Sequence, residues 1–152
     1  METLLVRNGG SNLLSGGAGA DLLDGRGGSD TLVGGAAADT LTGGAGADTF
    51  RFLSLGDLGD VITDFFAPED RLEFSASGFG GGLAAGMNLL ATGHLQINAA
   101  GLAVGGLAQF VYGTAAHVLW WDSNGSGTGG LTKLATLGNA SGVTAADFLL
   151  IG

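Results

Sequence analysis

The sequence predicts an all-β solenoid that leads into an antiparallel β cap. Five nine-residue blocks lie end to end from Arg7 to Arg51, and each has a short polar residue at its sixth position and a large apolar residue at its eighth. The sixth positions hold Asn12, Asp21, Asp30, Asp39 and Asp48, and the eighth hold Leu14, Leu23, Leu32, Leu41 and Phe50. Self-similarity at a fixed period indicates stacked repeats, each of which contacts only its neighbours.

Each block reads as a glycine-rich turn of six residues followed by a strand of three. Glycine tolerates positive φ and close backbone approach, so the turn carbonyls can point inward. Two blocks complete one coil, which brings residues of successive coils to about the 4.8 Å spacing of paired strands. The apolar residues then form one narrow core. Asp30 is expected between Asn12 and Asp48 along one edge, with Asp21 facing Asp39 along the other.

Carboxylates stacked in this way need a cation between them. Two such charges repel by roughly 3 kcal/mol at an effective dielectric constant near 20. Cysteine is absent, and the two histidines and two methionines are isolated, which disfavours zinc, copper and iron–sulfur sites. Carboxylates and backbone carbonyls together make an all-oxygen cage, which suits Ca²⁺.

The blocks GGAGADLLD and GGAGADTFR resemble the GGxGxDxUx calcium repeat of repeats-in-toxin (RTX) proteins. The resemblance implies a parallel β-roll that holds three or four calcium ions, each between turns one coil apart. Block one departs from the pattern and resembles an end cap, while block four has Ala37 at its fourth position. Carried over by position, the ligands are the carboxylates of Asp21, Asp30, Asp39 and Asp48, a weak half-site at Asn12, and turn carbonyls that include Gly17, Gly19, Gly28, Gly44 and Gly46.

Residues 52–77 are predicted as a transition that carries the last calcium shell, after a β-roll over residues 1–51. Asp57 falls in the sixth-position register and is a candidate to close a site above Asp39, with Asp60 and Asp64 as the next candidates. The signatures DVITDF and DRLEF are similar to the stretch after the repeats in serralysin-type carboxy-terminal domains, where an aspartate often completes the terminal calcium shell. For Asp60 and Asp64, a solvated strand face is the alternative interpretation.

Residues 78–152 show short apolar runs between turn signals, which predicts an antiparallel β cap within one cooperative domain. The clearest strands are Gln109–Tyr112 and Val118–Trp121, followed by a turn at residues 122–126 and another strand. Thr144 and Asp147 have the spacing of a helix cap. The end of the chain resembles the uncleaved carboxy-terminal secretion signal of RTX proteins exported by type I secretion.

Two other motifs fail on spacing. Asp122, Asn124 and Ser126 match the first half of an EF-hand loop, but Lys133 stands where a bidentate glutamate is required, so a hairpin turn is favoured. His94 and His117 lack HExxH spacing, and no GxSxG serine is present. The sequence therefore predicts that the chain is not an enzyme.

Composition indicates an exported acidic module. The formal net charge is −9 and twelve of the fourteen acidic residues precede residue 74, which disfavours nucleic acid and anionic membranes as partners. The chain shows no amino-terminal signal peptide and no transmembrane stretch. The resemblance implies an extracellular, non-catalytic calcium-binding module that folds on calcium and assists type I secretion of a larger polypeptide. The alternative is a carbohydrate-binding module resembling the R-modules of alginate epimerases.

Overall fold

The structure is a computed structural model, and it describes residues 1–125 and 129–152. Ser126, which belongs to the predicted turn and to the EF-hand-like pattern, lies outside the described residues. Thirteen strands, one short helix and one 3-10 turn are found within the described ranges. The strands are β1 Leu4–Val6, β2 Leu13–Ala18, β3 Leu22–Asp24, β4 Thr31–Ala36, β5 Thr40–Thr42, β6 Thr49–Phe52, β7 Asp60–Ile62, β8 Arg71–Ser75, β9 Leu95–Asn98, β10 Gln109–Gly113, β11 Val118–Asp122, β12 Leu131–Leu137 and β13 Phe148–Ile151, with helix α1 at Ala76–Phe79 and the 3-10 turn at Ala145–Asp147.

Strands β1 to β8 form a parallel β-roll of two facing sheets. The odd-numbered strands pair with one another in one sheet, and the even-numbered strands pair in the other. Within the repeats, Leu14 pairs with Leu32 and Leu23 with Leu41, so equivalent residues are two blocks apart. The predicted parallel β-roll is confirmed.

The eighth-position residues fill the space between the two sheets. Leu14, Leu23, Leu32 and Phe50 have no exposed side-chain surface, and Leu41 is equally well buried. Their neighbours on the strands point outward, which follows from the two-residue alternation of a β-strand. One apolar residue per block is therefore enough to build the continuous core of the roll.

The last coil of the roll is longer than the coils of the repeat. Leu41 pairs with Ile62 and Phe50 pairs with Leu72, so the spacing between core residues exceeds the eighteen of the repeats. The turns that enter β7 and β8 contain the additional residues. This change of spacing decides which aspartates after residue 52 line up with those of the repeat.

The cap continues both sheets of the roll. Strands β10, β11 and β12 form an antiparallel meander, as predicted, and β12 joins the roll by pairing in parallel with β7. Strand β13 pairs in parallel with β8, and β9 pairs in parallel with β10. The cap thus gives hydrogen-bond partners to the backbone groups at the end of the roll, which an open sheet edge would leave unpaired.

Aromatic side chains connect the core of the roll to that of the cap. The ring of Phe74, in the last strand of the roll, lies 4.3 Å from that of Phe110, which lies 4.8 Å from Trp121. Thr144 and Asp147 form a capping box around the 3-10 turn before β13. No helix in the described part of the chain is long and apolar enough to cross a membrane.

Candidate calcium sites

The aspartates of the repeat form two columns, one along each edge of the roll. In both columns one carboxylate oxygen, Oδ1, accepts a hydrogen bond from the backbone N–H of the equivalent residue in the preceding coil, at 2.6 to 3.0 Å. The first edge carries Thr3, Asp21, Asp39 and Asp60, and the second edge carries Asn12, Asp30, Asp48 and Asp70. Each aspartate therefore ties its own coil to the one before it.

The second carboxylate oxygen of the repeat aspartates has no partner. Oδ2 of Asp21, Asp30, Asp39 and Asp48 is buried and makes no hydrogen bond. Each of these side chains is at most 3% exposed. A buried, ionised oxygen without a partner is costly, and proteins avoid it by pairing the charge or by coordinating a metal. These four atoms are therefore the candidate positions for a bound cation.

The turns have positive φ at regular positions, as glycine-rich turns allow. The second and fourth residues of blocks two to five all have positive φ. They are Gly17, Gly19, Arg26, Gly28, Gly35, Ala37, Gly44 and Gly46. Ala37 adopts φ of 88°, so this turn accommodates the methyl group that departs from the repeat pattern. Gly35 is a second-position residue that the sequence analysis did not single out.

In blocks two to five, the aspartate itself requires the glycine at the first position. A Cβ on Gly16 or Gly25 would collide with Oδ2 of the aspartate in the same block and with the first-position carbonyl of the next coil. A Cβ on Gly34 or Gly43 would likewise collide with the carboxylate of its own block. Oδ2 thus lies in a narrow space between two turns, against backbone atoms. This role was not predicted from the sequence, although a glycine at the first position of four successive blocks was a visible signal.

Beyond the repeat, Asp60 and Asp70 continue the two columns. Oδ1 of Asp60 accepts from the N–H of Asp39, and Oδ1 of Asp70 accepts from that of Asp48. Asp57, expected in that register, lies within the preceding turn and accepts from the N–H of Leu53. Asp70 was not among the predicted ligands. It was recognisable from Leu72 two residues later, since every repeat aspartate precedes a core residue by two.

Asp57 and Asp64 lie beside the ends of the columns. The charge of Asp57 acts on Asp39 and Asp60, while that of Asp64 acts on Asp48 and Asp70. Asp64 also accepts hydrogen bonds from the N–H groups of Gly43, at 3.0 Å, and Gly44, at 2.8 Å. A third carboxylate therefore acts electrostatically on the last aspartate pair of each edge. Their role as ligands stays a prediction.

The donors available at these gaps fit calcium. Within the described part of the chain, no three His, Cys, Asp or Glu side chains converge tightly enough to hold a metal by themselves. The remaining ligands would have to be backbone carbonyls, which the positive-φ turns supply. Carboxylate and carbonyl oxygens in a flexible shell are the ligand set that Ca²⁺ prefers, and they exclude metals that need nitrogen or sulfur.

Burial raises the pKa of the carboxyl groups around the last gaps. The pKa of Asp48 is raised to about 6 and that of Asp60 to about 7, first by burial and then by neighbouring aspartates, against the lowering effect of backbone N–H donors. Burial also raises the pKa of Asp39 and Asp70. Without a cation, these four carboxyl groups therefore ionise at a higher pH than free aspartate does.

The raised pKa values predict opposite effects of pH with and without calcium. Because the folded, metal-free roll binds more protons than the unfolded chain between about pH 4 and 7, its stability should rise as the pH falls through that range. In calcium the stability should fall instead, since protons compete for the same oxygens. The residual β signal in chelator and the Tm in calcium, each at pH 5 and pH 7.5, measure the two effects. A change in the same direction in both conditions would contradict the prediction.

Comparisons with known proteins agree with this geometry. The family model of the RTX calcium-binding nonapeptide repeat, four copies long, matches residues 8–41 and 24–53. The R3 module of the mannuronan C5-epimerase AlgE6 of Azotobacter vinelandii is 30% identical, with a TM-score of 0.62 over 97% of this chain and 77% of that one. The R2 module of that enzyme is 29% identical, with a TM-score of 0.54 over 99% and 90% of the two chains. No curated protein sequence matches the chain.

The fold, the aspartate columns and the repeats define a calcium-binding β-roll module. The chain belongs to the RTX calcium-binding nonapeptide-repeat family. Modules of this family are generally non-catalytic, and the proteins that carry them are typically secreted.

Proposed function

We propose that this module folds when calcium fills the gaps between its turns, and that it has no catalytic role of its own. The observation that supports this proposal is the set of four buried Oδ2 atoms without a partner, one on each repeat aspartate. A structural stack of turns would not need them, since Oδ1 alone makes the contact between coils. The second oxygen is unfavourable in the fold unless a cation binds there.

We propose four main calcium sites. An aspartate stands on both sides of four gaps, which are those between Asp21 and Asp39, Asp39 and Asp60, Asp30 and Asp48, and Asp48 and Asp70. The two gaps nearest the amino terminus have Thr3 and Asn12 on one side and would bind calcium more weakly. Asp57 and Asp64 would strengthen the final sites, so affinity should increase towards the cap.

Calcium binding at these sites is large enough to decide whether the chain folds. With Kd values of roughly 10⁻⁴ to 10⁻³ M, as in extracellular modules, each site contributes about 0.4 to 1.4 kcal/mol at millimolar calcium. Four sites then contribute about 2 to 6 kcal/mol, a large part of the 5 to 15 kcal/mol that stabilises a typical domain. The repulsion between empty sites adds to this difference.

This dependence suits a protein that crosses a membrane before it folds. In the calcium-poor cytosol the chain would stay open, and in the calcium-rich exterior it would fold. We therefore propose an extracellular location after type I secretion, with the rest of a larger polypeptide as its covalent partner. The typical secretion of RTX-repeat proteins supports this proposal.

Far-UV circular dichroism during a calcium titration from a chelated state tests the folding switch. We expect a cooperative gain of β signal with calcium and none with equal magnesium, because Mg²⁺ is smaller and gives up its water reluctantly. A chain that already has its full β signal in chelator would contradict the proposal.

A second candidate function is binding of an acidic polysaccharide, which the similarity to modules of a mannuronan C5-epimerase supports. The net charge of −9 opposes it, but four calcium ions carry eight positive charges and would bring the formal charge to −1. Arg71 is exposed, makes no salt bridge within the described residues, and lines a cavity of about 230 Å³ with Ser29 and Thr49. Asp48 and Glu69 line the same cavity, so a sugar carboxylate would bind there only if calcium neutralises the charge of Asp48.

Titration of the calcium-loaded module with polymannuronate and with a neutral glucan separates the two functions. Binding of polymannuronate alone, lost in Arg71→Gln and kept in the control Arg26→Gln, would establish the second function. Absence of binding by either polymer would leave calcium-dependent folding as the whole function of the module.

A further inference from the structure

The cap contains a pair of buried polar side chains that the calcium sites of the roll do not involve. Gln109 opens β10 and Asp122 closes β11, and the two residues are directly opposed in the antiparallel register. Both have 0% exposed surface. Side chains at directly opposed positions leave the same face of the sheet, with Cβ atoms about 4.5 to 5.5 Å apart.

In each of the two side chains, one buried oxygen has no hydrogen-bond partner. Oδ1 of Asp122 accepts from the N–H groups of Asn124 and Gly125, both at 3.0 Å, while Oδ2 is buried without a partner. The amide nitrogen of Gln109 donates to the carbonyls of Val104 and Leu107, both at 3.2 Å, while Oε1 is buried without a partner.

The orientation of the Gln109 amide is fixed by its surroundings. Turning the amide over would place Oε1 against the carbonyl oxygens of Val104 and Leu107, where two acceptors would meet. Oε1 therefore faces away from these carbonyls. The cap has two acceptor oxygens on opposed residues and no donor for either of them within the described residues.

The charge of Asp122 is also unmatched. Within the described part of the chain, the two salt bridges are Arg26 to Asp24 and Arg51 to Glu73, and neither is in the cap. Lys133, the cation nearest in sequence, is exposed and pairs with Trp120 in the strand register. A fully buried carboxylate without a counter-charge is unfavourable by several kcal/mol, so an ion is expected where its free oxygen points.

We propose that Asp122 Oδ2 and Gln109 Oε1 bind a calcium ion in the cap, separate from the ions of the roll. The ligands are one carboxylate oxygen and one amide oxygen, both hard donors that suit Ca²⁺. Three segments converge there, since Gly125 packs against the backbone of Leu107, whose carbonyl holds Gln109. The ion would fasten the loop before β10 to the turn after β11. This is not an EF-hand site, because its second ligand comes from a neighbouring strand.

Terbium luminescence tests the site in the intact chain. Terbium replaces calcium at oxygen sites, and energy transfer from tryptophan to terbium falls steeply with distance. Both tryptophans of the chain, Trp120 and Trp121, lie in β11 next to Asp122, whereas the repeats have no tryptophan or tyrosine. The last gap of the roll, at Asp60, is also near these tryptophans, because β12 pairs with both β7 and β11. We therefore expect tryptophan-sensitised emission that calcium reverses by competition, that Asp122→Asn reduces well below the wild-type level, and that the control Asp24→Asn keeps.

Two variants test the proposal, and the second serves if the first does not fold. Asp122→Asn should fold, because its new amide can donate to Gln109 Oε1, and circular dichroism in calcium checks this. If it does not fold, Gln109→Met decides instead, since it removes Oε1 without changing the charge. Absence of emission from the wild-type chain, or emission from the folded variant as strong as that of the wild-type chain, would overturn the proposal. The pair would then be satisfied by a bridging water.

Discussion

Replacing Asp39 with asparagine should stabilise the module in chelator and destabilise it in calcium. Asparagine keeps the Oδ1 that accepts from the N–H of Asp21, but it places an amide group where the unpartnered Oδ2 was. In chelator the change removes repulsion with Asp21 and Asp57. In calcium it weakens the two sites on either side of Asp39, at a cost of about 1 to 3 kcal/mol, or roughly 2 to 12 °C in Tm at this chain length.

Asp24→Asn is the matched control for this prediction. Asp24 lies in β3 of the preceding coil, where it pairs with Thr42, and it is outside the columns with a side chain partly exposed beside Arg26. The same change of charge there should leave the calcium dependence of Tm within experimental error. The residual β signal of both variants in chelator, by far-UV circular dichroism, and their Tm in millimolar calcium give the comparison. A loss of stability by Asp39→Asn in both conditions would show that Asp39 acts through packing alone.

Replacing Gly35 with alanine adds only a methyl group, but it should be among the most destabilising substitutions in the roll. Gly35 has φ of 102°, and a Cβ there would collide with the carbonyl of Gly17 in the preceding coil. Strained backbone and overpacking together predict a cost of about 3 kcal/mol or more, which lowers Tm by roughly 6 to 12 °C. The measurement is thermal unfolding in saturating calcium.

The variant Gly17→Ala distinguishes backbone strain from overpacking as the cause of the lost stability. Gly17 occupies the same position of its block and has φ of 99°, but no atom lies within 4 Å of a Cβ built there. It should lose only about 1 kcal/mol, the strain of an alanine at positive φ. Ala37 occurs naturally at φ of 88°, so the strain alone is compatible with folding. If both variants lose the same stability, the close stacking of turns in the roll is not what requires glycine.

The roll could be predicted from the sequence because each repeat is defined by residues that lie close together in the chain. The residue two places after each aspartate must enter the core, and this rule holds from Leu14 to Phe50 without exception. The nine-residue spacing does not continue after residue 52, because the turns that enter β7 and β8 are longer. Asp57 kept the count but is followed by Gly59, whereas Asp60 is followed two places later by the buried Ile62.

The sequence could not show how the cap attaches to the roll. The meander of β10 to β12 was visible as alternating runs with turns between them, but its pairing with β7 joins residues far apart in the chain. The same limit applies to Gln109 and Asp122, which only the antiparallel register brings together. Each residue alone reads as an ordinary strand end.

The most direct test of the account is a crystal structure of the module grown in calcium, with anomalous scattering measured to locate the ions. The account predicts an anomalous peak about 2.3 to 2.6 Å from Oδ2 of each of Asp21, Asp30, Asp39 and Asp48, in the gaps between stacked turns. Water without anomalous signal at these four oxygens, in a roll that is otherwise the same, would contradict it.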